Sequence, residues 1–450
     1  MDRLRSPRYK RYFLFIFVTM TSFSFMDRVL FSTLGQAIKV DLNLTDTQLG
    51  FLGGLSVALF YAVFAFPSAR LAERYTRTVI VAIAVAIWAI MTTLCGVAQS
   101  FTQLLAARIG VGVGESGQLA TQSLISDMFP PNRRASALGI LNIGITIGIV
   151  FGAIASGVLA QTFGWRAAFF ILGLPGLILA FVIYRTIDEP PRGFSDIHIG
   201  AVSAEPPPFR AVVSLAFSKR SFVHMLIGAT LVGICGSGIL QFMHPFFVRQ
   251  FHMSYAQAAA MFGVINGVTS GFGFLAGGLL SDRLAHGNKR YYGIVPAVGL
   301  AIAAPLFILG FLQTDWRIAT GILAFPGMFS ATYIAPTYAV AHNIVQPRMR
   351  ASITAIVSLG TALTSMAIGP TLTGMISDRS ASYYFGAGNF VASCPGGHAL
   401  GLAHYALGVA CERASALGVR NALIVSSSLL VWAAIHYYLA SRSLERDFIA

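Results

Sequence analysis

The sequence predicts an all-α membrane protein: twelve transmembrane helices in two pseudo-symmetric halves of six. Three observations point there. Apolar stretches of about twenty residues, each long enough to cross the hydrocarbon core of a bilayer, recur along all 450 residues. The composition agrees, with 56% hydrophobic and 11% charged residues and a mean hydropathy of +0.71. Two loop sequences of the first half also return in the second, at corresponding places.

Read in order, the first half (1–187) places spans at 12–38, 47–69, 77–99, 101–127, 134–160 and 165–187. The first stretch is too long for a cleavable signal peptide and lacks a small-residue cleavage site, so no leader is expected. Residues 188–220 break the pattern. Asp188-Glu189-Pro190-Pro191-Arg192-Gly193 and Glu205-Pro206-Pro207-Pro208 forbid a span and predict an inner-side linker. Within it, Phe209 to Phe217 is apolar apart from Arg210 and Ser214 and predicts a short interfacial helix. The second half (221–450) places spans at 221–249, 254–282, 290–313, 316–344, 350–377 and 419–441, with a long outer loop at 378–418.

The net charge of +14 does not signal nucleic acid. With the N-terminus inside, 22 of the 31 Lys and Arg fall in inner segments, 7 in outer segments, and Arg28 and Arg108 inside spans. That asymmetry is the positive-inside rule and places both termini in the cytoplasm, in the inner membrane if the source is bacterial. Cys95 and Cys235 read as small residues within spans. Cys394 and Cys411 share the outer loop and pair only if compartment and geometry allow.

The repeats define the architecture. Pro131-Asn132-Arg133-Arg134-Ala135-Ser136-Ala137-Leu138-Gly139-Ile140 aligns without gaps to Pro347-Arg348-Met349-Arg350-Ala351-Ser352-Ile353-Thr354-Ala355-Ile356, with five identities. Ala69-Arg70-Leu71-Ala72-Glu73-Arg74 matches Gly278-Leu279-Leu280-Ser281-Asp282-Arg283. Equivalent loops on one side mean a parallel six-plus-six repeat, the plan of one class of secondary transporters. In these loops Glu73, Arg74, Arg77, Asp282, Arg283, Arg134 and Arg350 are candidate gating residues. An acidic side chain there can cap a helix N-terminus and pair with an arginine in one conformation, then release it in the other.

Charge inside the spans locates the chemistry. Asp27 and Arg28 lie in span 1, Arg108 and Glu115 in span 4. An ionisable group in a membrane span is costly and by default marks a functional path. Arg108, Glu115 and Gln122 repeat every seven residues on one helical face, flanked by Gln118 and Thr121. This polar stripe is expected to face a central cavity. Gly112-Val113-Gly114-Glu115-Ser116-Gly117 matches a dinucleotide fingerprint in form, but it lies inside a span rather than after a strand. Its glycines predict close helix packing instead. The second half has no such charge cluster; His244, Asn266, Thr269, Tyr333, Thr337, Tyr338 and Thr361 are its candidate cavity groups, each equally a packing residue.

The loop Ala69 to Arg77 resembles the signature of the major facilitator superfamily, with Glu73 in place of the aspartate. The run Arg108-Ile109-Gly110-Val111-Gly112-Val113-Gly114-Glu115, followed by Asp127-Met128-Phe129-Pro130-Pro131 and taken with Asp27-Arg28, resembles the spinster family within it. Animal members of that family export sphingosine-1-phosphate or lysophospholipids. The resemblance implies protonation at Asp27 and Glu115, with Arg28 and Arg108 as their basic partners.

A proton-coupled, alternating-access transporter of an amphiphilic organic molecule is therefore expected, acting as a monomer in the lipid bilayer without cofactor, metal or nucleic acid. A charged first half beside an apolar second half suits an ionic head on a greasy body. Glu115 and Asp27 are the expected proton carriers, because arginine does not release its proton. Arg28, Arg108, Gln118, Thr121, Gln122, His244, Tyr333 and Thr337 are the expected substrate contacts. Two other readings compete: an organic-anion symporter gripping a small carboxylate or phosphate, and a non-transporting membrane sensor. Neither His-Glu-x-x-His, Gly-x-Ser-x-Gly nor a Gly-x-x-x-x-Gly-Lys-Ser loop occurs, so the sequence carries no motif of a hydrolase or an ATP-driven pump.

Overall fold

The computed structural model describes residues 2–117, 119–192, 194–195, 209–346, 349–386, 388–398 and 405–448. Gln118 lies outside the described residues, as do the side chains of Arg134, Thr269 and Arg350. The helices are, in chain order, α1 (Asp2–Arg5), α2 (Pro7–Asp41), α3 (Asp46–Gly53), α4 (Leu55–Arg74), α5 (Arg77–Cys95), α6 (Phe101–Ser116), α7 (Leu119–Met128) and α8 (Pro131–Thr186). The linker carries α9 (Phe209–Ser218). Then follow α10 (Arg220–Phe251), α11 (Tyr255–Ala285), α12 (Tyr291–Leu312), α13 (Trp316–Leu323), α14 (Pro326–Ser330), α15 (Ile334–Asn343), α16 (Arg350–Phe385), α17 (Phe390–Ser393), α18 (Tyr405–Ser441) and α19 (Leu444–Asp447).

Twelve spans follow from these helices once breaks and merges are resolved. Span 1 is α2, span 2 is α3 with α4, span 3 is α5, and span 4 is α6 with α7. The 56 residues of α8 hold spans 5 and 6. At 1.5 Å per residue α8 would run about 84 Å, far beyond a hydrocarbon core of about 30 Å. Gly164, at φ 83°, breaks it into two, a conformation glycine adopts without penalty. Spans 7 to 12 are α10, α11, α12, α13–α15, α16 and α18. Exposed Phe151, Ile178 and Phe181 on α8 are what lipid-facing helices carry.

Local chemistry sets several ends. Pro7 and Pro131 occupy first-turn positions of α2 and α8, where a missing N–H costs nothing. The Ser100 side chain caps α6 by accepting from the Gln103 backbone N–H at 3.3 Å. Gly386, at φ 73°, ends α16.

The chain forms two compact units. The first comprises Met1–Leu44, Phe51–Val202 and Ser254–Gly263; the second comprises Thr45–Gly50, Ser203–Met253 and Val264–Ala450. In the first, α2 lies along α8, and α6 packs on α4 and α5. Its core gathers Phe13, Phe17, Val85, Trp88, Val111, Leu124 and Ile183. In the second, α18 packs on α10, α12 and α16, and α9 rests on α10 and α16. Phe246 there meets Phe311 edge-on at 5.2 Å.

The 378–418 segment differs from a long loop. Helix α16 continues to Phe385 and α18 already begins at Tyr405, leaving a short connection with α17. Cys394 and Cys411 are disulfide-bonded, Cα to Cα 5.6 Å, and sit with Ala381, Phe390 and Ala414 in a small core of their own.

The glycine run behaves as a packing surface. A Cβ on Gly112 would meet the Val57 carbonyl oxygen at 2.5 Å, and one on Gly114 the Trp88 nitrogen at 2.5 Å, whereas a Cβ on Gly139 meets nothing within 4 Å. Gly112→Ala should therefore cost about 1–3 kcal/mol as α6 is forced off α4. Gly139→Ala should cost nothing. Thermal unfolding of both variants in detergent tests the contrast, and equal midpoints would contradict it.

Candidate functional site

The four intramembrane charges of the first unit meet, but not as sequence proximity suggests. Consecutive residues on a helix point about 100° apart, so Asp27 and Arg28 do not face each other. Arg108 and Glu115 share a face of α6, yet two turns separate them by about 10 Å along the axis. The pairs form across helices instead. Arg108 Nη1 contacts Asp27 Oδ2 at 3.3 Å. Arg28 grips Glu115 with two nitrogens, Nη2 to Oε2 at 2.8 Å and Nε to Oε1 at 3.2 Å.

Neighbouring helices complete each pair. Thr92 Oγ1 on α5 donates to Asp27 Oδ1 at 2.8 Å. Arg108 Nε donates to the Leu52 carbonyl at 3.3 Å, where α3 gives way to α4 at Gly54. The guanidinium of Arg108 also lies 4.5 Å from the Phe31 ring centre, and that of Arg28 lies 5.0 Å from Phe25. Ser24 Oγ approaches Glu115 Oε1 at 3.5 Å.

The two pairs differ in access. The side chains of Asp27 and Arg108 are each 2% exposed and that of Glu115 1%, whereas Arg28 retains 30%. Of the four, Arg28 alone can meet a ligand without prior rearrangement.

The remaining stripe of span 4 does not continue straight. Helix α6 ends at Ser116, Gly117 closes it with a tight N–H bond to the Gly114 carbonyl, and α7 starts at Leu119. Beyond the break Thr121 is buried and Gln122 exposed.

In the second unit, Tyr333, Asn266, Ser237 and Cys235 help line a largely apolar cavity of about 350 Å³. Thr337 faces α18 instead: its hydroxyl lies 2.6 Å from both the Tyr333 carbonyl and the Tyr437 hydroxyl. His244 is fully buried. Tyr338 meets Ser358 at 2.8 Å and His342 meets Thr354 at 2.7 Å. Thr361 donates to its own helix at Val357, the bland role open to it from sequence. His224 and His436 approach Nδ1 to Nδ1 at 3.0 Å.

Among the loop residues, Arg77 is buried and central. It donates to Glu189 (2.6 Å), Asp127, Ser123 (2.7 Å) and the Pro190 carbonyl (2.9 Å). Glu73 pairs with Arg70 at the surface, Arg74 is exposed, and Asp282 accepts from the Tyr292 hydroxyl at 2.9 Å beside exposed Arg283.

One buried cluster escaped the sequence reading. Within the second unit, Arg249 donates both Nη1 and Nη2 to Asp46 at 2.7 Å, and Ser377 adds a bond at 2.6 Å. Asp378 accepts from the backbone of Asp46 and Thr47. Asp46 and Arg249 stand 203 residues apart at span ends, where charges are commonplace, so no local pattern marks them.

Comparison with known proteins places the chain. The profile of the Major Facilitator Superfamily matches residues 13–312. The crystal structure of a bacterial homologue of the human lysosomal transporter spinster, inward-facing and unoccupied, superposes with a TM-score of 0.92 at 31% identity, covering 99% of each chain. An MFS-type efflux pump of Mycolicibacterium smegmatis is 29% identical over 95% of this chain and 91% of its own. A hexuronate transporter of Bacillus subtilis is 26% identical over 80% and 86%, and human spinster homolog 1 is 27% identical over 79% and 71%.

The crossed pairing is open to direct test. Arg108→Gln should destabilise by about 3–5 kcal/mol, the cost of leaving one buried charge unpaired. Adding Asp27→Asn should recover part of that loss, whereas adding it to Arg28→Gln should not. A double-mutant cycle on unfolding midpoints in detergent reads this out; coupling of Asp27 to Arg28 rather than to Arg108 would refute the geometry.

Proposed function

Because the chain belongs to the Major Facilitator Superfamily, in its spinster branch, we propose that this integral membrane transporter moves an amphiphilic, lipid-like organic molecule by proton-coupled alternating access. It is a transporter and not an enzyme. The observation that carries the proposal is the unequal exposure of two crossed ion pairs.

Arg28 is accessible, while its partner Glu115 is sealed. An anionic or zwitterionic head group that engages Arg28 competes with Glu115 for the same guanidinium. A carboxylate stripped of its counter-charge in a low-dielectric span is costly, and a proton replaces Arg28 as the neutralising group. Head-group binding and proton binding are then linked, and linkage of this kind is what coupling requires. Asp27 and Arg108 form the pair with both partners sealed. Taken by itself, the second unit holds a largely apolar cavity of about 350 Å³, of a size that suits a small organic ligand.

The gate belongs in this reading to the inner loops. Its candidates are Arg77, held by Asp127 and Glu189, and the loop residues Glu73, Arg74, Arg134, Asp282, Arg283 and Arg350. The distribution of basic residues supports cytoplasmic termini, and the proposal places the transporter as a monomer in a bacterial inner membrane.

A second reading has its own support. The likeness to a hexuronate transporter over 80% of the chain and the bidentate grip of Arg28 on a carboxylate favour a small organic anion in symport with protons. Proteoliposomes separate the two: accumulation of a lysophospholipid against accumulation of a hexuronate, each under an imposed pH difference.

Glu115→Gln holds the neutral form with little change in shape. It should keep ligand binding and lose pH-driven accumulation. If Glu115→Gln and Asp27→Asn each still concentrate the probe when only a pH difference is applied, the coupling assignment fails. Arg28→Ala should weaken binding of the transported probe at least tenfold, about 1.4 kcal/mol, while Arg210→Ala on α9 should leave it unchanged. Direct titration of both variants decides, and equal affinities would remove Arg28 from the head-group site.

A further inference from the structure

A second apolar feature of the second unit lies apart from the candidate substrate groups. Helices α11, α12 and α14 enclose a groove of about 400 Å³ whose walls include Leu280, Leu284, Val298, Ile302 and Met328. Thr332, also in the lining, turns its hydroxyl to the Phe329 carbonyl at 2.7 Å. Apart from the Tyr291 hydroxyl, these walls offer a polar ligand little to bind. Leu280 is 49% and Val298 52% exposed, so the groove opens outward from the unit instead of being sealed in its core. In a bilayer the natural occupant of such a groove is a hydrocarbon chain.

Apolar contact alone does not select a lipid, because lipid tails are as apolar as leucine. Selection requires a head-group contact, and one end of the groove offers it. Leu284 and Tyr291, both in the lining, bracket a turn with Lys289 and Arg290, and Arg283 precedes it. The acid at this turn, Asp282, accepts from the Tyr292 hydroxyl at 2.9 Å. Arg283 makes no ion pair among the described residues. Lys289 Nζ lies 5.0 Å over the Phe448 ring, itself stacked on Tyr292, the residue after Tyr291 of the lining. Arg290 pairs with Glu445 at 3.4 Å, both about half exposed, a weak bond that a phosphate can displace.

We propose that this groove and its basic turn bind one anionic phospholipid of the surrounding bilayer, with an acyl chain along α11, α12 and α14 and the phosphate on Lys289 and Arg290. Basic pockets at the membrane surface between helices are suited to anionic head groups. The site is independent of the transported substrate.

Native mass spectrometry of delipidated protein, titrated with phosphatidylglycerol or phosphatidylcholine, tests the proposal. One phosphatidylglycerol should bind about tenfold tighter than phosphatidylcholine, the scale that two basic groups provide near an anionic head. The double variant Lys289→Gln/Arg290→Gln should bring the two lipids to equal affinity. Val298→Trp, at a half-exposed position where bulk fills the groove without disturbing the core, should weaken both. Equal affinity of the two lipids for the unaltered protein, or a phosphatidylglycerol preference that survives in both variants, would overturn the site. Competition by glycerol phosphate as strong as by phosphatidylglycerol would also overturn it, by showing that the groove contributes nothing.

Discussion

A charge inside an apolar bundle persists only where a counter-charge and hydrogen bonds meet it, and the interior of the first unit is arranged around that requirement. Two acids and two arginines on α2 and α6 neutralise one another in crossed pairs. Thr92 from α5 and the Leu52 carbonyl add further bonds, so four helical segments are tied to one electrostatic centre. The helix approach that makes this possible depends on Gly112 and Gly114, where any side chain would strike α4 or α5. The same glycines formally imitate a nucleotide fingerprint, and their packing role explains the spacing.

Charge is divided unequally between the units. The first holds the intramembrane ion pairs. The second holds an apolar cavity and, apart from its lining, the Asp46–Arg249 pair backed by Ser377. Both buried pairs that include Arg108 or Arg249 are nearly sealed, while Arg28 remains part open. A structural salt bridge gains nothing from such asymmetry. A binding group does, because the open partner can exchange its counter-ion while the closed partner feels the consequence.

Much of the architecture was legible because a bilayer imposes a length and a polarity on every span. The Pro-rich break after residue 187 and the duplicated loops at Arg134 and Arg350 gave the six-plus-six plan without any knowledge of contacts. Errors arose where helix and span part company. Helix α18 begins at Tyr405, before the apolar stretch, since helical propensity does not stop where hydropathy does. Span 4 is broken between α6 and α7, an interruption that a periodicity count passes over.

The sequence alone determined the fold class and singled out Asp27, Arg28, Arg108 and Glu115 as charges inside spans. Both are one-dimensional facts: apolar length, loop charge, and ionisable residues where hydrocarbon excludes them. Partner choice was decided only by tertiary structure. Sequence proximity pairs Asp27 with Arg28 and Arg108 with Glu115; side chains reaching between α2 and α6 pair them crosswise, because side-chain direction and reach, not chain separation, set the distance between charges. The Asp46–Arg249 bond and the paired Cys394 and Cys411 belong to the same category. Each joins residues whose proximity exists only once the chain has folded.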